Sequence, residues 1–172
     1  MPSDYSKYRL VTVDPGLRGC GVAVFNKGVL LEAQYVKNPN EKDRGPVAHK
    51  FMSYAVHKVV MGAMQYTIYA VEFPRVYPGL SDIDLNDLLD VAGVASAFLN
   101  HPYIPTTDCR FVYPSEWKGT IKKKIMTERI QNSLTESERG LIKSVGSKDH
   151  NTIDAVGIGL HFLGRLNKKV YA

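Results

Sequence analysis

Leu10-Val11-Thr12-Val13-Asp14-Pro15-Gly16, running on through Leu17-Arg18-Gly19-Cys20-Gly21-Val22-Ala23-Val24-Phe25, carries the clearest structural pattern of the chain. A β-rich apolar run closes on a carboxylate, a Pro-Gly turn follows, and a second apolar run begins through Gly19 and Gly21. That order spells two antiparallel strands joined by a tight connection. Pro15 has no N–H to donate, so pairing stops near it. Asp14 is left at the end of the first strand, and the glycines let a neighbouring backbone or phosphate come close. Taken alone, Asp14 reads equally as the cap of a turn and as a chemical group.

Asn26-Lys27-Gly28 turns the chain into a third strand over 29–36. A polar loop leads to Pro46, well suited to the first turn of a helix that runs to about Gln65. Its Val47, Phe51, Ala55, Val59 and Ala63 recur every four residues, as a packed stripe does. Residues 67–72 (Thr-Ile-Tyr-Ala-Val-Glu) lack polar alternation until their end, the mark of a strand covered on both faces, and they too close on a carboxylate, Glu72. A helix from Asp82 to near Asn100 and a strand over 109–113 follow, the latter stopped by Pro114. A helical turn at 115–118, helices at 126–134 and 136–144, and a last helix from 150 to about 167 complete the chain. Thr135-Glu136-Ser137-Glu138 has the spacing of a capping box. The expected architecture is α/β: a mixed five-stranded sheet, three antiparallel strands and then parallel ones, flanked by helices in a single domain over 1–172.

Composition narrows the class. Hydrophobic content of 44% and charged content of 23% suit a soluble globular protein. No apolar run approaches the length of a membrane span, and the N-terminus lacks an apolar signal core. Cys20 and Cys109 fall in separate expected strands without a CxxC partner, as reduced core residues of a cytoplasmic protein do. Between Lys118 and Lys148 stand eight basic and three acidic residues, a net +5 equal to the excess of the whole chain. Charge gathered in one segment points to a polyanion, most simply nucleic acid.

Three carboxylates stand at informative places: Asp14 and Glu72 at strand ends, and Asp154 early in the final helix. Phosphodiester hydrolysis by a metal pair needs such groups, because hard divalent ions prefer oxygen ligands and keep several waters. Each also has a plain alternative: a turn cap for Asp14, an ion pair with Arg75 for Glu72, and an offset of the helix dipole for Asp154.

Asp14-Pro15-Gly16 with Gly19 and Gly21, the strand-end Glu72, and Asp154-Ala155-Val156-Gly157-Ile158-Gly159 together resemble the RuvC family of Holliday junction resolvases. Tyr113-Pro114-Ser115-Glu116-Trp117-Lys118-Gly119, with Lys122, Lys123 and Lys124, is similar to phage-encoded members. The resemblance covers nearly the whole chain. It implies an RNase H-like fold, a homodimer, and paired nicking of four-way DNA junctions with two Mg²⁺ or Mn²⁺ ions per site. Asp14, Glu72 and Asp154 would be the catalytic, metal-binding carboxylates. The family usually carries an Asp or His three residues before the last of these, where this chain has Asn151. Asn151, His150 and Asp149 are the candidates for a fourth ligand. At about 100° per residue, Asn151 lies roughly 60° and His150 roughly 40° from Asp154 around a helix. Capping is the alternative role for Asp149 and Asn151.

Lys118, Lys122, Lys123, Lys124, Lys143 and Lys148 are candidate phosphate contacts. The loop after Glu72 offers Arg75 and an aromatic wedge, Tyr77 or Phe73, for stacking on crossover bases, with core packing the alternative for Phe73. Trp117 reads as a packing anchor. The helix over 85–98, or that around Phe51 to Val59, would supply a two-fold interface. Three other functions fit less of the pattern: an RNase H-like nuclease for RNA or for flapped and branched DNA, a noncatalytic junction binder, and an actin-like sugar kinase or ATPase. The last pairs two such domains where this chain has room for one.

Overall fold

Strict alternation in the first strand sets the two faces of the molecule. In the computed structural model, which describes residues 5–39, 45–60, 67–75, 84–100, 109–143 and 149–166, β1 spans Arg9–Asp14. Successive strand residues point to opposite faces, so Leu10 enters one hydrophobic core and Val11 and Val13 the other. β2 (Gly19–Asn26) and β3 (Val29–Lys37) extend the sheet antiparallel, whereas β4 (Thr67–Glu72) and β5 (Cys109–Val112) pair parallel on the other side of β1. The order is β3-β2-β1-β4-β5, the expected mixed five-stranded sheet.

Helices cover both faces. α1 (Pro46–Val60) and α2 (Leu85–Ala97) pack on the Val11/Val13 side, α2 opening on Asp84, whose carboxylate caps Asn86 N–H at 2.8 Å. α3 (Pro114–Trp117), α4 (Lys123–Ser133) and α6 (Asp149–Phe162) cover the Leu10 side, with Ile130, Val156 and Ile158 fully buried there. Among the described residues no helix is long and apolar enough to cross a membrane. Cys20 and Cys109 are buried free thiols on the α1/α2 side, and burial pushes each up to about 12, which leaves them inert.

Four expectations need correction. The buried row of α1 is Ala48, Met52 and Val56, while Phe51 is exposed; two neighbouring rows of this helix are both apolar, and spacing alone does not choose between them. α4 begins at Lys123, a turn earlier than expected. The helix expected over 136–144 ends as α5 (Glu136–Arg139), because the chain then lies beside the edge strand β3: Ala33 N–H donates to Leu141 O and Lys143 N–H to Ala33 O. That pairing covers an edge that would otherwise present open hydrogen-bonding groups. α6 stops at Phe162, ahead of Gly164 in a left-handed conformation at φ +66°.

Candidate active site

Asp14 is the last residue of β1 and Glu72 the last of β4, neighbouring parallel strands whose register pairs Val13 with Val71 just before them. Both carboxylates therefore leave the sheet side by side at its C-terminal end. By strand alternation they share the face of Thr12 and Ala70, the face that α6 covers. Both are 9% exposed.

α6 brings the third carboxylate by lying unusually close to the hairpin. A Cβ on Gly21, the partner of Asp14 across the hairpin, would sit 1.8 Å from the Asn151 carbonyl oxygen. The close approach allowed by this glycine is thus to a helix backbone. Thr12 completes the dock, its hydroxyl donating 2.6 Å to Ala155 O, the residue after Asp154. Asn151 lies against the same turn, its amide nitrogen 3.1 Å from where a Gly16 Cβ would stand. His150 is exposed at the start of α6. The Asp149 side chain lies outside the described residues.

The short helix α3 and its cap bring two further groups to the carboxylates. Trp117, buried against Gly157 and Ile130, donates Nε1–H to Glu72 Oε2 at 2.6 Å. It is a packing anchor, as expected, and also the orienter of a carboxylate. A buried Trp needs a partner for its N–H, which is the signal that points to this role. Lys118 Nζ stands 3.3 Å from Glu72 Oε2 and 3.2 Å from Asp154 Oδ2, and 4.8 Å above the Trp117 ring.

Electrostatics follow from crowding. Burial first, then the charges of Glu72 and Asp154, hold the Asp14 carboxyl well above the usual range, against the pull of Lys118 and Lys123. Burial also raises Glu72, opposed by Lys118 and by the Trp117 hydrogen bond. For Lys118, burial works against the charge, yet Glu72, Asp154 and Asp14 outweigh it and keep the ammonium protonated to higher pH than usual.

The remaining candidates divide. Lys122, Lys123 and Lys124 are exposed around the start of α4, with Lys123 close enough to act on Asp14. Lys143 is elsewhere: it pairs with Glu32 on β3, and β2 and β1 lie between that strand and β4. Phe73 packs its ring against Phe111 at 4.8 Å and edge-on to Tyr113 at 6.3 Å, while Arg75 lies over the Tyr113 ring at 5.3 Å. Phe73 is thus partly buried in an aromatic cluster, and beside it stands the 38%-exposed Tyr113. Tyr77 and Lys148 lie outside the described residues.

No protein-family model and no curated protein matches the sequence. Solved structures do match the fold. Thermus thermophilus RuvC in complex with a Holliday junction substrate aligns over 92% of this chain and 95% of its own, with TM-score 0.62 and 17% identity. A second Thermus thermophilus RuvC structure aligns over 91% and 95%, with TM-score 0.53 and 17% identity. The yeast mitochondrial Holliday junction resolvase Ydc2 aligns over 93% and 82%, with TM-score 0.56 and 12% identity. The mixed five-stranded sheet and its flanking helices thus have the RNase H-like fold of the RuvC resolvases.

Proposed function

We propose that this chain, acting as one nuclease domain over 1–172, resolves four-way DNA junctions by paired, metal-dependent hydrolysis of phosphodiester bonds. The observation that carries the reading is the meeting of Asp14, Glu72 and Asp154 from β1, β4 and α6 at one end of the sheet. The junction-bound RuvC neighbour supports the substrate class.

The donor set fits a hard divalent cation. Asp14, Glu72 and Asp154 offer carboxylate oxygens, two of the groups are buried, and Glu72 and Asp154 already draw in an ammonium. As they stand, no three His, Cys, Asp or Glu side chains among the described residues converge tightly enough to hold an ion, so the carboxylates must draw together around it. Asp14, Glu72 and Asp154 would hold Mg²⁺ or Mn²⁺, two ions per site, with Asn151, His150 or Asp149 as the fourth ligand. A bound metal pair supplies an activated water and charge stabilisation at the leaving oxygen. The protein's own part is to position and to exclude water. Trp117 fixes the orientation of Glu72, and Thr12 fixes the height of α6 and hence of Asp154. Lys122, Lys123 and Lys124 face the phosphates, and Arg75 with Tyr113 borders the same end of the sheet.

A four-way junction offers symmetric scissile strands, which suits a two-fold homodimer. Leu85 and Leu89 on α2 are 61% and 69% exposed, and Phe51 on α1 is also exposed. They support an interface on the α1/α2 side, away from the carboxylates. Leu89→Lys should then shift the sedimentation coefficient from dimer to monomer. Buried thiols accord with work in the cytoplasm.

Cleavage of a synthetic four-way junction with and without Mg²⁺, mapped on all four strands, tests the function. Asp14→Asn, Glu72→Gln and Asp154→Asn should each bind the junction and fail to nick it. Faster cutting of structured RNA or flaps would transfer the reading to another RNase H-like nuclease. Binding without nicking in any metal would make the chain a junction-binding protein.

A further inference from the structure

The ammonium of Lys118 sits where positive charge is most needed. Its Nζ is 3.3 Å from Glu72 Oε2, 3.4 Å from Glu72 Oε1 and 3.2 Å from Asp154 Oδ2, and its charge also acts on Asp14. The only tryptophan of the chain, Trp117, lies beneath it at 4.8 Å. The Lys118 backbone is pinned as the cap of α3, with its N–H on Pro114 O at 3.0 Å, so only the flexible side chain is free to move. Gly119 follows in a left-handed turn with nothing within 4 Å of where its Cβ would be, which leaves room beside it.

An ammonium and a divalent cation cannot share these oxygens. The carboxylates are spread around an amine, and like charges would repel across the same few ångströms. We infer that Lys118 is a resident counter-ion of the carboxylate cluster, holding Glu72 and Asp154 together in the metal-free protein and having to swing out before they can close on a divalent cation. Metal affinity in the absence of DNA is thereby weakened, and the free protein is protected from three uncompensated carboxylates. DNA phosphates bound along Lys122, Lys123 and Lys124 offer the displaced ammonium an alternative partner. This inference rests on the metal-site reading of Asp14, Glu72 and Asp154.

The test is Mg²⁺ binding to the DNA-free protein by calorimetry, together with Trp117 fluorescence and thermal melting. Lys118→Met keeps the length of the stem and removes the charge. Two partly screened ion pairs are lost, so Lys118→Met should bind Mg²⁺ about ten-fold tighter than the unaltered protein. It should also melt lower in chelator and recover more of its stability as Mg²⁺ is added. Lys118→Arg keeps a cation and should stay close to the unaltered protein. The unaltered protein gives a reading that needs no variant: saturating Mg²⁺ should change Trp117 emission as the cation leaves its ring. Equal or weaker Mg²⁺ affinity in Lys118→Met would overturn the counter-ion role. If Lys118→Met fails to fold, Mg²⁺ binding to the unaltered protein with no change in Trp117 emission would do the same. No Mg²⁺ binding in any of the three proteins would instead remove the metal site itself, and the inference with it.

Discussion

Replacing Trp117 with Phe isolates one hydrogen bond at the centre of the site. The indole N–H donates to Glu72 Oε2 at 2.6 Å, both partners are buried, and the acceptor is a carboxylate. A hydrogen bond to a charged group contributes about 1.5–3 kcal/mol. Phe retains most of the ring volume that packs on Gly157 and Ile130, so the loss is concentrated in that bond. Lys118 still holds Glu72, which should therefore stay in the site with its orientation loosened. A positioning loss of this size corresponds to roughly 10–100-fold in kcat for junction cleavage, with junction affinity unchanged.

The pH profile separates orientation from mere packing. The Trp117 N–H lowers the Glu72 carboxyl against the larger, opposing influence of burial. Its removal leaves burial less opposed, so Glu72 rises further and the acidic limb of the rate profile moves to higher pH. Single-turnover cleavage across pH, with a circular-dichroism melt of the same protein, reads both effects. A Trp117→Phe protein that cuts at the original rate with an unmoved acidic limb would refute the assignment of Trp117 as the orienter of Glu72.

Gly21→Ala should cost about 3 kcal/mol or more by urea unfolding, because its Cβ meets backbone of Asn151 at 1.8 Å that has nowhere to go. Gly140→Ala, whose nearest contact is an ordinary 3.5 Å, serves as the near-neutral control. Glu138 accepts from Arg165, Leu30 N–H and Thr135 N–H; the Arg165 hydrogen bonds foremost hold its carboxyl down at about 2 from 4.5. Its folded value is depressed, so about 3 kcal/mol is present above pH 4.5 and is lost as pH falls towards 2. Glu138→Gln should flatten that acid limb in stability measured against pH. Lys123→Ala should reduce the log–log salt slope of junction binding by about 0.9, whereas Lys143→Ala, already paired with Glu32, should leave it unchanged.

The sheet was readable because its signals are local. Asp14-Pro15-Gly16 marks a strand end by proline chemistry, and the unbroken apolar run before Glu72 marks a strand buried on both faces. Two of the three carboxylates were readable for the same reason, since Asp14 and Glu72 each end a strand, whereas Asp154 stands inside α6, in its second turn. What is not written locally is how elements meet. The α1 stripe slipped by one row because Val47-Phe51-Ala55 and Ala48-Met52-Val56 are both apolar, and only the neighbouring sheet chooses between them. The helix expected to run past Gly140 ends there because β3 needs a cover for its edge, a demand arising more than a hundred residues earlier in the chain.

Lys118 shows the same limit inside the site. As one of eight basic residues in its segment it reads as a phosphate contact, and nothing in that run distinguishes it from Lys122 or Lys143. Tertiary placement separates the three: Lys143 beside the far edge strand, Lys122 open to solvent, and Lys118 drawn in by Glu72 and Asp154. The distinguishing feature is the adjacent Trp117, which anchors α3 over Gly157 and sets the start of the lysine stem beside the carboxylates. A basic segment thus contains two kinds of lysine, one left open to solvent and one drawn in by the carboxylates, and a buried aromatic neighbour tells them apart.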